Sequence, residues 1–246
     1  MDYSVFCIAL ESRKKNAKKF VQSMGYHDCI FPPIVLRDSL DYKNLIDKGI
    51  ITSWFGIPYP SSKGYMGKVA CSLSHAKVLK QFLQSGKEVA LVFEDDNRIP
   101  KDPKLTRKKV EELLQDKSWD FMNLSPCFCE CVFSNSTSEG IFKASGQCTS
   151  AYLVRREGAK SFLKLMFPLK PIIKIALDTI IPYIPNSYET RPRLFEQNEE
   201  TQSTNGNNFE SRMCLVTKTQ ALYGLIVFVV VIASIVIIFS YRGNEK

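Results

Sequence analysis

The stretch Glu88-Val89-Ala90-Leu91-Val92-Phe93-Glu94-Asp95-Asp96 decides the fold of this chain. Its unbroken apolar run, residues 89–93, predicts a strand that is buried on both faces, as in a parallel sheet covered by helices. Ligands bind beyond the carboxyl ends of strands in open α/β sheets. The three carboxylates that follow the run are therefore candidate site residues.

Three adjacent carboxylates repel one another unless a cation sits among them. A hard divalent ion, Mg²⁺ or Mn²⁺, prefers oxygen ligands and binds one or two carboxylates together with substrate phosphates. Taken alone, the acidic triplet fits a metal site and a solvated turn after a core strand about equally well. The flanking sequence has to decide between them.

Around this strand, apolar patterns of strand and helix type alternate, which indicates an α/β sandwich. Strand patterns cover 3–10, 28–36, 88–93, 120–124 and 149–154, and helix patterns cover 14–24, 38–51, 69–85, 104–114 and 156–166. Residues 127–133 and 140–144 predict a hairpin around 135–138. The Pro-, Gly- and Ser-rich segment 54–67 is long enough for a functional loop.

The net charge of +8 is spread along the chain, and this suits a phosphate-bearing ligand or an anionic membrane surface. Aromatic residues do not interleave with the basic ones as a nucleic-acid platform requires, so we expect no nucleic-acid partner. The eight cysteines include Cys127, Cys129 and Cys131 at a spacing unlike that of ordinary zinc sites. We expect reduced thiols in a reducing compartment.

The carboxyl-terminal run 221–239 has 19 residues without a charge and is rich in Val and Ile. A helix of that length spans roughly 28 Å, close to the hydrocarbon thickness of a bilayer. Tyr223 and Tyr241 stand where interfacial aromatics are expected. We predict a single-pass tail anchor that leaves the main domain on the cytosolic side. The predicted segments are a domain at 1–197, a polar linker at 198–220, the transmembrane anchor at 221–241 and a short tail at 242–246.

Two blocks, GKVACSLSH at 67–75 and LVFEDD at 91–96, resemble the pattern of glycosyltransferase family 25. That family includes bacterial lipooligosaccharide galactosyltransferases and collagen galactosyltransferases. Further similar blocks follow in order, so that the resemblance extends from Tyr3 to Gln197. They are WDFMNLS at 119–125, TSAYLV at 149–154, EGAK at 157–160, ALDT at 176–179 and PRLFEQ at 192–197.

The resemblance implies a GT-A fold, a Rossmann-like α/β domain that binds a nucleotide-diphosphate sugar with Mn²⁺ or Mg²⁺. Asp96 would bind the metal directly, Glu94 would either bind it or hold one of its ligands in place, and Asp95 would face the donor. The family is regarded as inverting, so a carboxylate must deprotonate the acceptor hydroxyl. Asp178, an isolated acid in an apolar run, is the candidate base, because desolvation raises the pKa of a carboxyl group. Its alternative role is that of a helix N-cap.

Three more residues are candidates for the donor site: Arg13, His75 and Gln197. Each also has a plainer explanation. Arg13 fits a surface charge, His75 fits a hydrogen-bonded structural histidine, and Gln197 fits the start of the linker.

We therefore expect a metal-dependent transferase that moves galactose or glucose from a UDP-sugar, with inversion, to a glycan, glycolipid or protein hydroxyl. The alternative is a membrane-anchored binding or scaffold protein that keeps the fold without turnover. A metal-dependent nucleotidyltransferase or hydrolase is a third interpretation, but the chain lacks a P-loop.

Overall fold

The strand predicted at 88–93 forms, and helices cover both of its faces. In the computed structural model, residues 89–93 are fully buried, and alternate side chains enter two separate apolar clusters. The structure describes residues 2–52, 63–126, 140–144, 148–169 and 177–198. Every described residue belongs to one compact unit of the chain.

The described helices are α1 (Lys14–Ser23), α2 (Tyr42–Asp47), α3 (Lys63–Gln84), α4 (Pro103–Gln115) and α5 (Arg156–Met166). Short 3₁₀ helices cover Glu11–Arg13, Arg37–Ser39 and Leu177–Tyr183. The described strands are β1 (Tyr3–Ile8), β2 (Val89–Glu94), β3 (Phe121–Asn123), β4 (Gly140–Lys143), β5 (Ala151–Arg155) and β6 (Ser187–Arg191).

The six described strands form one mixed sheet in the order β1-β2-β5-β3-β6-β4. β1 is parallel to β2 and β3 is parallel to β6, whereas β5 runs antiparallel to both β2 and β3. The parallel sheet expected from the apolar run is thus wrong for one of the two neighbours of β2. Burial on both faces depends on the covering helices and does not fix strand direction.

Two helical layers enclose the sheet. On one face, α1 and α4 contribute Phe20, Val21 and Val110 to a cluster with Leu91 and Phe93 of β2. On the other face, buried residues of α3, α5 and the 3₁₀ helix 177–183 pack against alternate residues of the same strands. The amphipathic periods of α1, α4 and α5 explain this arrangement, since each helix presents one apolar stripe to the sheet. The structure confirms an α/β sandwich.

Most predicted elements form within a few residues of their expected bounds. The strand predicted at 28–36 is wrong: within it, only Ile30 bridges to Phe6. Pro32 and Pro33 follow and have no N–H to donate. The described part of the predicted loop 54–67 is also wrong, since α3 already begins at Lys63.

The second arm of the predicted hairpin forms as β4, and its partner among the described strands is β6. Other predictions fall on residues outside the description. They concern the first hairpin arm with Cys127, Cys129 and Cys131, most of the loop 54–67, the linker from 199 onward and the anchor at 221–241. No helix within the described ranges is long and apolar enough to cross a bilayer.

The expectation of reduced thiols is wrong at one cysteine. Cys7, Cys29 and Cys71 are free, as expected. Cys148 is disulfide-bonded, and its partner lies outside the described residues. Sequence spacing did not indicate this bond.

Replacement of Gly158 by alanine should destabilise the domain. Gly158 lies in the first turn of α5, and a Cβ built on it would overlap the backbone oxygen of Asp120. That oxygen accepts a hydrogen bond from the Arg155 N–H, so neither segment can move without cost. We expect the free energy of unfolding to fall by about 1–3 kcal/mol in urea titrations. Lys164→Ala, an exposed change on the same helix, should stay within about 0.5 kcal/mol of wild type. Equal stability of the two variants would contradict the close packing.

Candidate functional site

The acidic triplet lies where β1 and β2 end side by side, with Ile8 paired to Glu94. Each of its three carboxylates has a different set of neighbours, from elements far apart in sequence. The hydrogen-bond donors around each carboxylate offset part of the repulsion among the three adjacent negative charges.

Glu94 is held by two side chains. Its Oε1 lies 3.2 Å from Nε2 of His75 on α3, and it accepts a 2.9 Å hydrogen bond from the Thr149 hydroxyl. Burial alone would raise the pKa of Glu94, but the hydrogen bonds from His75 and Thr149 outweigh it and lower that pKa. Glu94 is therefore charged at neutral pH.

His75 is fully buried, and its second ring nitrogen, Nδ1, lies 2.9 Å from the Tyr152 hydroxyl. The imidazole also stacks on the Tyr152 ring, with 5.7 Å between centroids. His75 thus joins α3 to β5 and to Glu94. Its described contacts fix the position of Glu94, as the hydrogen-bonded structural alternative implies.

Asp95 turns towards the end of β1. Its Oδ2 accepts a 2.7 Å hydrogen bond from the Leu10 N–H, and its Oδ1 lies 3.3 Å from the Arg13 guanidinium. Burial raises the pKa of Asp95, while Leu10 and Arg13 act in the opposite direction. Arg13 is thus placed beside the triplet, with only 23% of its side chain exposed.

Asp96 is the least compensated of the three carboxylates. Gln197 Nε2 donates to its Oδ2 at 3.2 Å, but its buried Oδ1 has no hydrogen-bond partner among the described residues. Burial, together with the negative charges of Glu94 and Asp95, raises the pKa of Asp96 to about 7. A bound cation would stabilise the charged form of such a carboxylate.

The turn after β2 is closed by the chain near Gln197. Asn97 bridges to Gln197, and the Asn198 N–H donates to the Asp96 backbone oxygen at 2.6 Å. The Asn97 amide also donates to the Glu94 and Ser150 backbone oxygens, at 3.0 and 2.7 Å. Gln197 therefore reaches the acidic triplet from the carboxyl-terminal side.

Asp178 lies in the 3₁₀ helix 177–183, and the Cys148 N–H donates to its Oδ2 at 3.4 Å. Its buried Oδ1 has no hydrogen-bond partner among the described residues. Burial raises the pKa of Asp178, and the charge of Glu94 acts in the same direction. Cys148 also places Asp178 near the triplet, because its disulfide-bonded Sγ is in van der Waals contact with Gln197 Oε1 at 3.8 Å. The structure thus brings all seven predicted site residues into one network of contacts.

Four residues of this network were not predicted as site residues: Asn97, Thr149, Tyr152 and Cys148. Thr149 and Tyr152 lie in a block that resembles the family pattern, and this was the available signal. Their contacts with Glu94 and His75 span 55 and 77 residues, so sequence spacing alone could not reveal them.

A cavity of about 70 Å³ opens beside Asp95 and Asp96 and is also lined by Arg13, Asn16, Asn97 and Asn198. A larger one of about 380 Å³ lies against α1, lined by Lys14, Lys18, Tyr26 and other residues, but it contains no acid. We place the site at the smaller cavity because the uncompensated carboxylates, which require a partner, are there.

The oxygen-rich edge around Asp96 fits a hard divalent cation. The buried Oδ1 has no hydrogen-bond partner among the described residues, and the pKa of Asp96 is raised by burial and by its acidic neighbours, so Mg²⁺ or Mn²⁺ would stabilise the ionised carboxylate. Glu94 lies beside it as a second charged oxygen donor. A separate group of possible ligands, Cys71, His75 and Glu94, brings a sulfur, a nitrogen and an oxygen within 4.8 Å of one another.

Most of this chain matches one family model. The model described as "Glycosyltransferase family 25 (LPS biosynthesis protein)" matches residues 5–181. One similar solved structure is described as "crystal structure of a glycosyltransferase involved in the glycosylation of the major capsid of PBCV-1". It is 11% identical, with a TM-score of 0.40 over 80% of this chain and 82% of that chain. Among curated proteins, no significant match is found.

Asp96→Asn should stabilise the metal-free protein at high pH and leave it unchanged at low pH. The folded-state pKa of about 7 exceeds the ordinary value of 3.8, so wild type loses stability as pH rises through that interval. The variant cannot ionise and escapes this loss. We expect it to be more stable by about 4 kcal/mol at pH 8 in the presence of chelator. Urea titrations at pH 4 and pH 8 measure the difference.

The matched control is Asp28→Asn, which removes an exposed carboxylate. It should change the free energy of unfolding by the same small amount at both pH values. If the free energies of unfolding of Asp96→Asn and wild type differ by the same amount at pH 4 and pH 8, the raised pKa of Asp96 is contradicted.

Proposed function

The chain belongs to glycosyltransferase family 25, and we propose that it transfers a hexose, galactose or glucose, from a UDP-sugar to an acceptor hydroxyl with inversion. The acceptor is a hydroxyl of a glycan, glycolipid or protein. We further propose that the sandwich is a GT-A-like, Rossmann-like domain. One observation carries the metal-dependent mechanism. Asp96, just after the end of β2, is a buried carboxylate, and one of its oxygens has no hydrogen-bond partner among the described residues.

Glu94 and Asp96 would hold the metal, for which Mn²⁺ or Mg²⁺ is the best fit. When bound, the ion neutralises the charge that develops on the leaving nucleoside diphosphate and orients that group. His75 and Thr149 keep Glu94 ionised and fixed in place. Gln197 orients Asp96 through its amide. These contacts supply a preorganised site, so little rearrangement is needed during the reaction.

Asp178 is the proposed catalytic base. Its buried carboxyl group has a raised pKa and one oxygen without a partner in the described part of the chain. A base of this kind takes the proton of the acceptor hydroxyl as that oxygen attacks the anomeric carbon. The Cys148 N–H holds the other oxygen, so the first can face the acceptor.

The donor nucleotide is proposed to lie against Arg13 and Asp95. Arg13 suits a phosphate or nucleobase edge because its guanidinium offers several directed donors. Asp95 holds that guanidinium at 3.3 Å and lines the cavity beside Asp96. Asp95 is our candidate for a contact with the ribose, and Gln197 closes this side of the donor site. His75 would influence the donor through Glu94.

Donor hydrolysis by the full chain in detergent tests this function. We expect UDP release from one UDP-hexose with Mn²⁺, and its loss with chelator and in Asp96→Asn, because the leaving group then lacks a fixed cation. Asp28→Asn should keep wild-type activity. If no UDP-hexose is hydrolysed, calorimetry with UDP and Mn²⁺ tests whether the donor site still binds the nucleotide. The absence of Asp96-dependent UDP binding would overturn the proposal, whereas binding without hydrolysis or transfer would favour the scaffold alternative.

Asp178→Asn separates chemistry from binding in the same assay. Loss of a general base should lower kcat by about 10²–10⁴-fold and leave UDP binding with Mn²⁺ unchanged. An unchanged kcat would remove Asp178 from the proton transfer. Equal loss of binding and turnover would instead assign it to the donor site.

We also propose that residues 221–241 anchor the protein in a membrane. The support is the uncharged run 221–239, with Tyr223 near its start and Tyr241 just after its end. In a flotation gradient, a chain that ends at residue 217 should stay in the dense fractions without the vesicles. The full chain should float together with them. Equal vesicle binding of both chains would refute the anchor.

A further inference from the structure

Cys71 and His75 lie four residues apart on α3, so they share one face of the helix. Glu94 meets that face from the end of β2. The three ligand atoms, a thiol sulfur, an imidazole nitrogen and a carboxylate oxygen, all lie within 4.8 Å of one another. The described oxygen-rich edge at Asp96 offers a different, harder set of donors.

The distances suit a small tetrahedral ion. His75 Nε2 and Glu94 Oε1 are 3.2 Å apart. Zinc bonds to nitrogen and oxygen of about 2.0–2.1 Å place two tetrahedral ligands about 3.3 Å apart. The separation of these two atoms therefore matches that of two ligands on one zinc ion. Cys71 Sγ lies within 4.8 Å of both atoms, so a small shift of these side chains would bring all three to one ion.

Tyr152 provides the support that a metal-bound histidine needs. In the observed arrangement, a proton on His75 Nε2 can be donated to Glu94, with the Tyr152 hydroxyl donating to Nδ1. If Nε2 binds an ion instead, its proton moves to Nδ1, which then donates to the Tyr152 oxygen. A hydroxyl can serve in either direction, so His75 keeps two partners in both states.

The site also has a route for entry and a favourable field. His75 is fully buried, but the Glu94 side chain is 22% exposed and Cys71 is partly exposed. The negative charges of Glu94 and Asp178 act on the Cys71 position and favour a cation there.

We propose that Cys71, His75 and Glu94 form a binding site for a thiophilic divalent cation of the zinc type, with an exchangeable fourth ligand. Sulfur and imidazole select such ions over Mg²⁺ and Mn²⁺, which prefer oxygen. Binding forms a metal–sulfur bond and releases the thiol proton to solvent, with no change in oxidation state. Because Glu94 is also a proposed ligand of the donor metal, occupation of this site should inhibit transfer. Only this last consequence rests on the proposed function.

Cobalt(II), a spectroscopic substitute for zinc, tests the site in the full chain without any activity assay. We expect a sulfur-to-cobalt charge-transfer band in the near ultraviolet at one ion per chain, with displacement by Zn²⁺. Cys71→Ser should abolish the band and weaken Zn²⁺ binding by more than about 100-fold. Tyr152→Phe should weaken binding by about 10-fold and keep the band. Cys29→Ser, which removes another free and partly exposed thiol, is the matched control and should change nothing.

Two results would overturn the site. One is a charge-transfer band that persists in Cys71→Ser and Cys71→Ala, because the ion would then be bound by other cysteines. The other is the absence of a band in the wild-type chain. Circular dichroism of both variants verifies that they are folded.

If the chain is active, Zn²⁺ should inhibit Mn²⁺-dependent donor hydrolysis, and Cys71→Ser should resist that inhibition. Equal inhibition of wild type and Cys71→Ser would contradict the coupling through Glu94. A chain that shows a Cys71-dependent cobalt band but neither hydrolyses a UDP-hexose nor binds UDP in an Asp96-dependent way would leave the site established and overturn the transferase proposal alone.

Discussion

The repulsion among three adjacent carboxylates at the end of β2 is the constraint on which the rest of this structure depends. Each carboxylate is compensated by a different part of the chain. α3 and the segment before β5 hold Glu94, the end of β1 holds Asp95, and the segment at Gln197 holds Asp96. The compensation is unequal, since a pKa below its usual value at Glu94 contrasts with one near 7 at Asp96. At Asp96, the least compensated of the three, a bound cation would stabilise the charged form most.

The sequence predicts much of the fold because buried positions appear in it as a periodic pattern of apolar residues. The apolar run 89–93 predicts a strand that is buried on both faces, and all five residues are buried in the structure. Strand direction leaves no such trace, so the antiparallel neighbour β5 could not be foreseen. β6 was missed because its sequence, SYETR, contains the fully buried Glu189, whose charge is paired with Arg191 at 2.8 Å. A buried ion pair resembles a polar loop when only the sequence is read.

The candidate site shows the same division between local and distant information. The acidic triplet and Asp178 could be identified because isolated or clustered acids next to apolar runs are locally unusual. The partners that hold this network together, Thr149, Tyr152 and Cys148, come from segments that only the fold brings near. The disulfide at Cys148 is a further case, because a covalent partner cannot be chosen from spacing alone when several cysteines are available.

Glu94 has two possible uses, and the contrast between them follows from ligand chemistry. With Asp96 it offers only hard oxygen donors, whereas with Cys71 and His75 it completes a soft, mixed set. The hydrogen bond from His75 holds Glu94 towards α3 in the structure described. A cation at the Asp96 edge must therefore either accept Glu94 through its second oxygen or leave it with His75.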